Sequence, residues 1–126
     1  MAYLDSFTLV SDRARPFITL RERSITFSKT AIELLHFSPY VHMYIDQSGH
    51  KAAFQEAEND EDAIAFYKAP KESRPVLVRI SDKNKTKMLL DIAGVEGSEK
   101  GIRFYGEFIE DEKVIGFNLT KPVVMQ

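Results

Sequence analysis

Five basic residues stand between positions 13 and 29, Arg13, Arg15, Arg21, Arg23 and Lys29, against a single acid, Glu22. A second basic group, Lys83, Lys85 and Lys87, recurs in the other half of the chain. Guanidinium and ammonium groups at this density are the donors that phosphates take. Their positions add a detail. Lys29 follows Ser28, where the hydrophobic period changes from alternating to helical, and the three lysines crowd the start of a second helical stretch. A helix N-terminus favours acids, and a cation there costs roughly 0.3–1 kcal/mol unless an anion is near. Lysines at both starts therefore read in one of two ways. Either Arg21, Arg23 and the lysines form a phosphate site at each helix start, or the long side chains simply carry their charge out into water.

Other chemistry finds less support in the residue pattern. His42 and His50 face each other across an expected hairpin, but no third ligand lies close in sequence, so no metal site is assigned. Glu56, Glu58, Asp60, Glu61 and Asp62 form an acidic run, read as a solvated linker rather than an acid-base pair. No serine sits in a G-x-S-x-G elbow, and with no cysteine there is neither thiol catalysis nor a thiolate metal site. The expectation is a protein that is not an enzyme, with no catalytic residues and no cofactor. Tyr44 and Tyr105 stand out as aromatics that alternation turns outward, where bases stack.

The elements that must hold these groups follow from periodicity. The chain has 126 residues, 44% hydrophobic and 29% charged, which fits one compact domain with a core of its own. The stretches "SFTLVS" and "PFITLRE" alternate as strands, with Ile18 and Leu20 on one face. Ile25 and Phe27 continue on the other parity, so a turn or bulge is expected near Glu22, Arg23 and Ser24. Ser28 caps a helix carrying Ala31, Ile32, Leu34 and Leu35, which Pro39 stops, and "YVHMYID", "DQSG" and "HKAAFQ" make a hairpin. "RPVLVRIS" is a strand, "DKNKTKMLLDIAG" a helix from Asp82 to Gly94, and "GIRFYGEFI", "EDEK" and "VIGFNL" a second hairpin. Ile32, Leu35, Val41, Met43, Phe54, Leu77, Met88, Leu89, Ile92 and Phe117 are the expected core.

The halves thus read alike. Leu34-Leu35 answers Leu89-Leu90, Ile45-Asp46 answers Ile109-Glu110, and "AAFQ" at 52–55 answers "IGFN" at 115–118. The fold class expected is α+β, mostly β with short helices, as two β-α-β-β repeats packed about a pseudo-two-fold axis. Repeat 1 covers about residues 17–55, an acidic linker about 56–73, and repeat 2 about 74–120.

The stretch "RERSITFSKTAIELLHFSPYVHMYIDQSGHKAAFQ" resembles the AbrB/MazE/SpoVT swapped-hairpin DNA-binding module: a basic turn, a short strand, a short helix ending in leucine, and a β-hairpin. Two such modules in one chain resemble the MraZ type. The resemblance implies a small bacterial or phage regulator that binds double-stranded DNA through Arg13, Arg15, Arg21, Arg23 and Lys29, helped by Lys83, Lys85 and Lys87. The alternative is an adaptor or inhibitor of the same fold that binds another protein through a strand edge or the acidic linker. A net charge of −2 tells against a general nucleic-acid binder, while the pooling of bases and acids in different segments allows a polarised surface. No membrane segment and no secretion signal are read, the cytoplasm is the expected compartment, and monomer and homodimer both stay open.

Overall fold

The computed structural model describes Tyr3, residues 15–69 and residues 78–124. Arg13, Leu77 and the expected strand over "SFTLVS" lie outside the described residues, as does the start of the strand over "RPVLVRIS".

Alternation is converted directly into strands. Ile18 and Leu20 of β1 (Phe17–Leu20) and Ile25 and Phe27 of β2 (Ile25–Phe27) are all buried, because Leu20 lies opposite Ile25 and Ile18 opposite Phe27. The parity change is absorbed by a tight turn in which the Arg21 N–H donates to the Ser24 carbonyl at 3.0 Å. Ser28 then does two jobs. Its hydroxyl accepts from the Ala31 N–H at 3.2 Å, capping α1 (Lys29–Leu34), and from the Phe17 N–H at 3.0 Å, tying the cap to β1.

The helix ends before Pro39 is reached. His36 and Phe37 take left-handed backbone angles, φ 54° and 53°, which cost roughly 1–2 kcal/mol each for L-residues. The Phe37 ring packs edge-on against Tyr67 at 5.1 Å. The reversed chain enters β3 (Tyr40–Asp46), which pairs in register with β4 (Lys51–Glu56).

The segment expected to be a solvated acidic linker is built into the fold. Within it β5 (Ile64–Ala65) pairs with Tyr40 and Val41, the Phe66 N–H donates to the Pro39 carbonyl at 2.8 Å, and Phe66 is buried. After β6 (Val78–Ile80) comes α2 (Lys83–Ala93), capped by Asp82 and closed by Gly94 at φ 70°, a left-handed angle that glycine adopts without a Cβ clash. Thr86, Leu89 and Leu90 form its buried face. Met88, expected inside, is 40% exposed because it falls off that face, and Met43 and Ile92 are only half-buried.

The last hairpin joins everything. In β7 (Ile102–Ile109), residues 102–105 pair with β1, while residues 106–109 pair with β8 (Val114–Asn118). β9 (Val123–Val124) adds beside Ile102 and Arg103. The antiparallel order is β5-β3-β4-β8-β7-β1-β2-β6 among the described residues. The sheet curls until it nearly closes. Phe27, near one end of that order, meets Phe66, just beyond the strand at the other end, at 4.8 Å, and meets Phe54 at 4.9 Å. The described residues are therefore mostly β with two short helices, wrapped around an aromatic and aliphatic core.

Candidate nucleic-acid interface

On β2, β6 and the first half of β7 buried residues alternate and the residues between them form the outer face, while on β1 the residue in that place, Thr19, is itself buried. Thr19 lies opposite both Arg103 on β7 and Thr26 on β2, and Thr26 lies opposite Arg79 on β6. The register thus lays Arg103, Thr19, Thr26 and Arg79 in one row across four strands. At about 4.8 Å per strand the row is about 14 Å long, a span that more than one phosphate can share.

Further arginines converge on this row. Arg21 places Nη1 3.3 Å from the Thr26 hydroxyl oxygen and Nε 3.2 Å from the Glu99 carbonyl, donating to both. Arg23 stands exposed in the adjoining turn. The Arg103 guanidinium stacks 3.8 Å over the Phe17 ring and donates from Nη1 to the Tyr105 hydroxyl at 3.3 Å. Its Nε is buried without an acceptor among the described residues. Arg15 lies 5.2 Å over the Tyr105 ring. Among the described residues none of these five arginines has a carboxylate within ion-pair distance. Stacked guanidinium groups are held in place yet keep most of their five N–H donors, which suits planar oxyanions.

The lysines behave differently. Lys29 pairs with Glu33 at 3.8 Å and sits at the far end of β2 from the Arg21–Ser24 turn. Lys85 pairs with Asp82 at 2.9 Å. Lys83 and Lys87 are exposed, and α2 begins beside the arginine turn because Ile80 lies opposite Ile25. At each helix start where a phosphate is expected, a capping side chain takes up a backbone N–H. At α1 the Ser28 hydroxyl accepts from the Ala31 N–H. At α2 the Asp82 carboxylate accepts from the Lys85 N–H at 3.0 Å and from the Lys85 ammonium. Those contacts, the backbone N–H foremost, hold the Asp82 carboxyl below its ordinary range. The positive end of the dipole thus faces the protein's own anion.

Sequence reasoning missed Arg79 and Arg103. The signal was present, since "VRI" and "IRF" each set an arginine between two buried residues, and period two turns that arginine outward. His42 does not meet His50. It lies opposite Gln55, and its Nε2 is 2.9 Å from both Asp60 oxygens, which holds the Asp60 carboxyl below its usual range. His36 pairs with Glu56. No group of three metal-ligating side chains occurs among the described residues. Tyr105 is covered by Arg15, whereas Tyr44 is half exposed and donates to Gln55. Among the described residues no helix is long and apolar enough to cross a membrane. Compared with protein-family models, curated proteins and solved structures, the chain matches none.

Proposed function

We propose that the chain is a DNA-binding regulator of the AbrB/MraZ kind that holds the phosphate backbone of duplex DNA against the outer face of β1, β2, β6 and the first half of β7. The observation that carries this reading is the set of arginines on one face, Arg21, Arg23, Arg79 and Arg103 with Arg15 beside them, without carboxylate partners among the described residues. Lys83 and Lys87 extend the basic surface at the start of α2. The acids at 56–62 lie in the segment that includes the approach to β5, and because the sheet nearly closes Asp62 borders the start of α2, lining one pocket with Lys85, so the arginine row rather than α2 carries the reading.

The repeat belongs to the same proposal. Its support lies in the central pairing, where Ala52 is opposite Phe117, Ala53 opposite Gly116 and Phe54 opposite Ile115. Matching "AAFQ" to "IGFN" makes Ala52 equivalent to Ile115 and Phe54 to Phe117, so each pair maps onto another pair, about an axis through Ala53 and Gly116. β2 and β6, the strands before the two helices, are likewise antiparallel neighbours. β1 and β5 hold comparable places, β1 with Ile18 opposite Phe104 and β5 with Ile64 opposite Val41. On this reading the repeat 2 module begins at β5.

The test is binding to random-sequence duplex DNA across a salt series. Removing one phosphate-binding side chain should lower the log-log slope by about 0.9. Arg23→Ala with Arg79→Ala should weaken binding and flatten the slope, while Lys113→Ala, in the β7–β8 turn, changes neither. Absence of binding at about 50 mM salt, where even non-specific binders hold on, would overturn the proposal. A second reading then gains. Among the described residues β5 pairs with β3 only at Tyr40 and Val41, and the edge from His42 to Asp46 with no strand beside it there is where an adaptor would add a strand from another protein.

A further inference from the structure

Along one edge of β7 the partner changes. β8 ends its pairing where Phe117 lies opposite Gly106, and β9 begins where Val123 lies opposite Arg103. Between them the edge of Phe104 and Tyr105 has no strand beside it among the described residues, and a cavity of about 540 Å³ opens there. That is the size of a small-ligand pocket. Gly106 and Gly116 line it with bare backbone, and a Cβ at Gly116 would meet nothing within 4 Å.

The rim is cationic. Arg15, Lys51 and Lys121 reach it from three separate segments, against one carboxylate, Glu107. None of the three has a carboxylate within ion-pair distance among the described residues. Asp46, the cross-strand neighbour of Lys51, turns its carboxylate to the Ser48 hydroxyl at 3.1 Å and the Gly49 N–H at 2.9 Å instead. Asn118 accepts at Oδ1 from the Thr120 N–H and hydroxyl, which leaves its NH₂ donors for the cavity it lines. Like charges gathered around a hollow repel one another until an anion enters, and the surplus of cations over the single acid is what a dianion neutralises.

We propose that this cavity binds a phosphate monoester dianion, carried by a free nucleotide or by the 5′ end of a nucleic acid. The Arg15 guanidinium would grip two oxygens as a fork, with the two ammonium groups as point charges beside it. The site adjoins the duplex face and shares Arg15 with its margin, but Arg79 does not line it, and binding of a monoester there does not require that the arginine row hold a duplex.

The test follows the amide signals of Gly106, Gly116 and Asn118 by NMR while adenosine monophosphate is added, with adenosine as the uncharged control. Saturable shifts with the monophosphate and none with adenosine are expected. Lys51→Ala with Lys121→Ala should weaken binding about tenfold or more, Glu107→Gln should tighten it severalfold, and Arg79→Ala should leave it unchanged. A tetranucleotide with a 5′-phosphate, compared with its 5′-hydroxyl form, separates the sources. Tighter binding than the mononucleotide assigns the site to a nucleic-acid end, and weaker binding assigns it to a free nucleotide. No saturable shift by about 10 mM monophosphate, equal shifts with adenosine, or weaker binding by Glu107→Gln would overturn the proposal.

Discussion

Phe27 and Phe66 lie near opposite ends of the strand order, and their contact is what brings the sheet close to closure. Phe27 is 2% exposed and Phe66 8% exposed, with ring centroids 4.8 Å apart and planes at 87°, an edge-to-face pair. Replacing Phe27 by Ala removes a fully buried ring that also touches Phe54, so stability should fall by about 3–5 kcal/mol. Phe66→Ala should cost towards the lower end of that range, because its ring is less fully enclosed. The informative quantity is the coupling. An edge-to-face aromatic pair contributes about 0.5–1.5 kcal/mol beyond area burial, and a double-mutant cycle isolates it. Urea denaturation of the wild type, both single variants and the double variant should give a coupling near 1 kcal/mol. Should the cycle close to within about 0.3 kcal/mol, as it does for residues that do not touch, the segment after β5 does not seal the sheet and the inferred curvature is wrong. The single variants alone cannot produce that refutation, since either could be destabilised by any burial of its own ring.

Two further outcomes follow from local geometry. Gly106→Ala puts a Cβ 2.5 Å from the Gly116 carbonyl oxygen and 2.6 Å from the Phe117 ring, so it should lower stability by about 1–3 kcal/mol, whereas Gly116→Ala, in open space, should be neutral or slightly stabilising in a thermal melt. For Asp82, whose folded-state carboxyl titrates below its unfolded value of about 3.9, the stabilisation is present above that value and disappears as the pH falls through the folded one. Asp82→Asn, which still caps the helix, should therefore flatten the acid limb of a stability-against-pH curve, while Asp82→Ala should also cost about 1 kcal/mol at neutral pH.

Legibility varied with the kind of physics involved. Ile18, Leu20, Ile25 and Phe27 could be assigned from alternation because a strand buries every second residue, and Asp82 and Gly94 announced α2 because caps are local chemistry. Phe66 was hidden. Five acids in seven positions dominate the composition just before it, and the two residues of β5 are too short for a period to show. The exit from α1 through His36 and Phe37 was equally opaque, since non-glycine residues at positive φ are set by what surrounds them. Of the arginine face, Arg21 and Arg23 were found as a charge cluster. Arg79 and Arg103 were not, because their nearness to Thr26 and Thr19 is a matter of register between strands far apart in sequence.

The division of β7 between two partners has a consequence for how the chain is made. β1 and β2 can form a hairpin as soon as they leave the ribosome, and so can β3 and β4. Phe27 can already pack on Phe54, but the two hairpins cannot be hydrogen-bonded into one sheet until β7 and β8 arrive, because β7 borders β1 and β8 borders β4 on the inner side. Until β7 and β8 have been made, each ribbon offers an unpaired edge. Completing the sheet waits on the long-range pairing that β7 and β8 supply, the slow kind of contact to form. A pause in synthesis just before Ile102 would prolong the interval in which those ribbons can find the wrong partner.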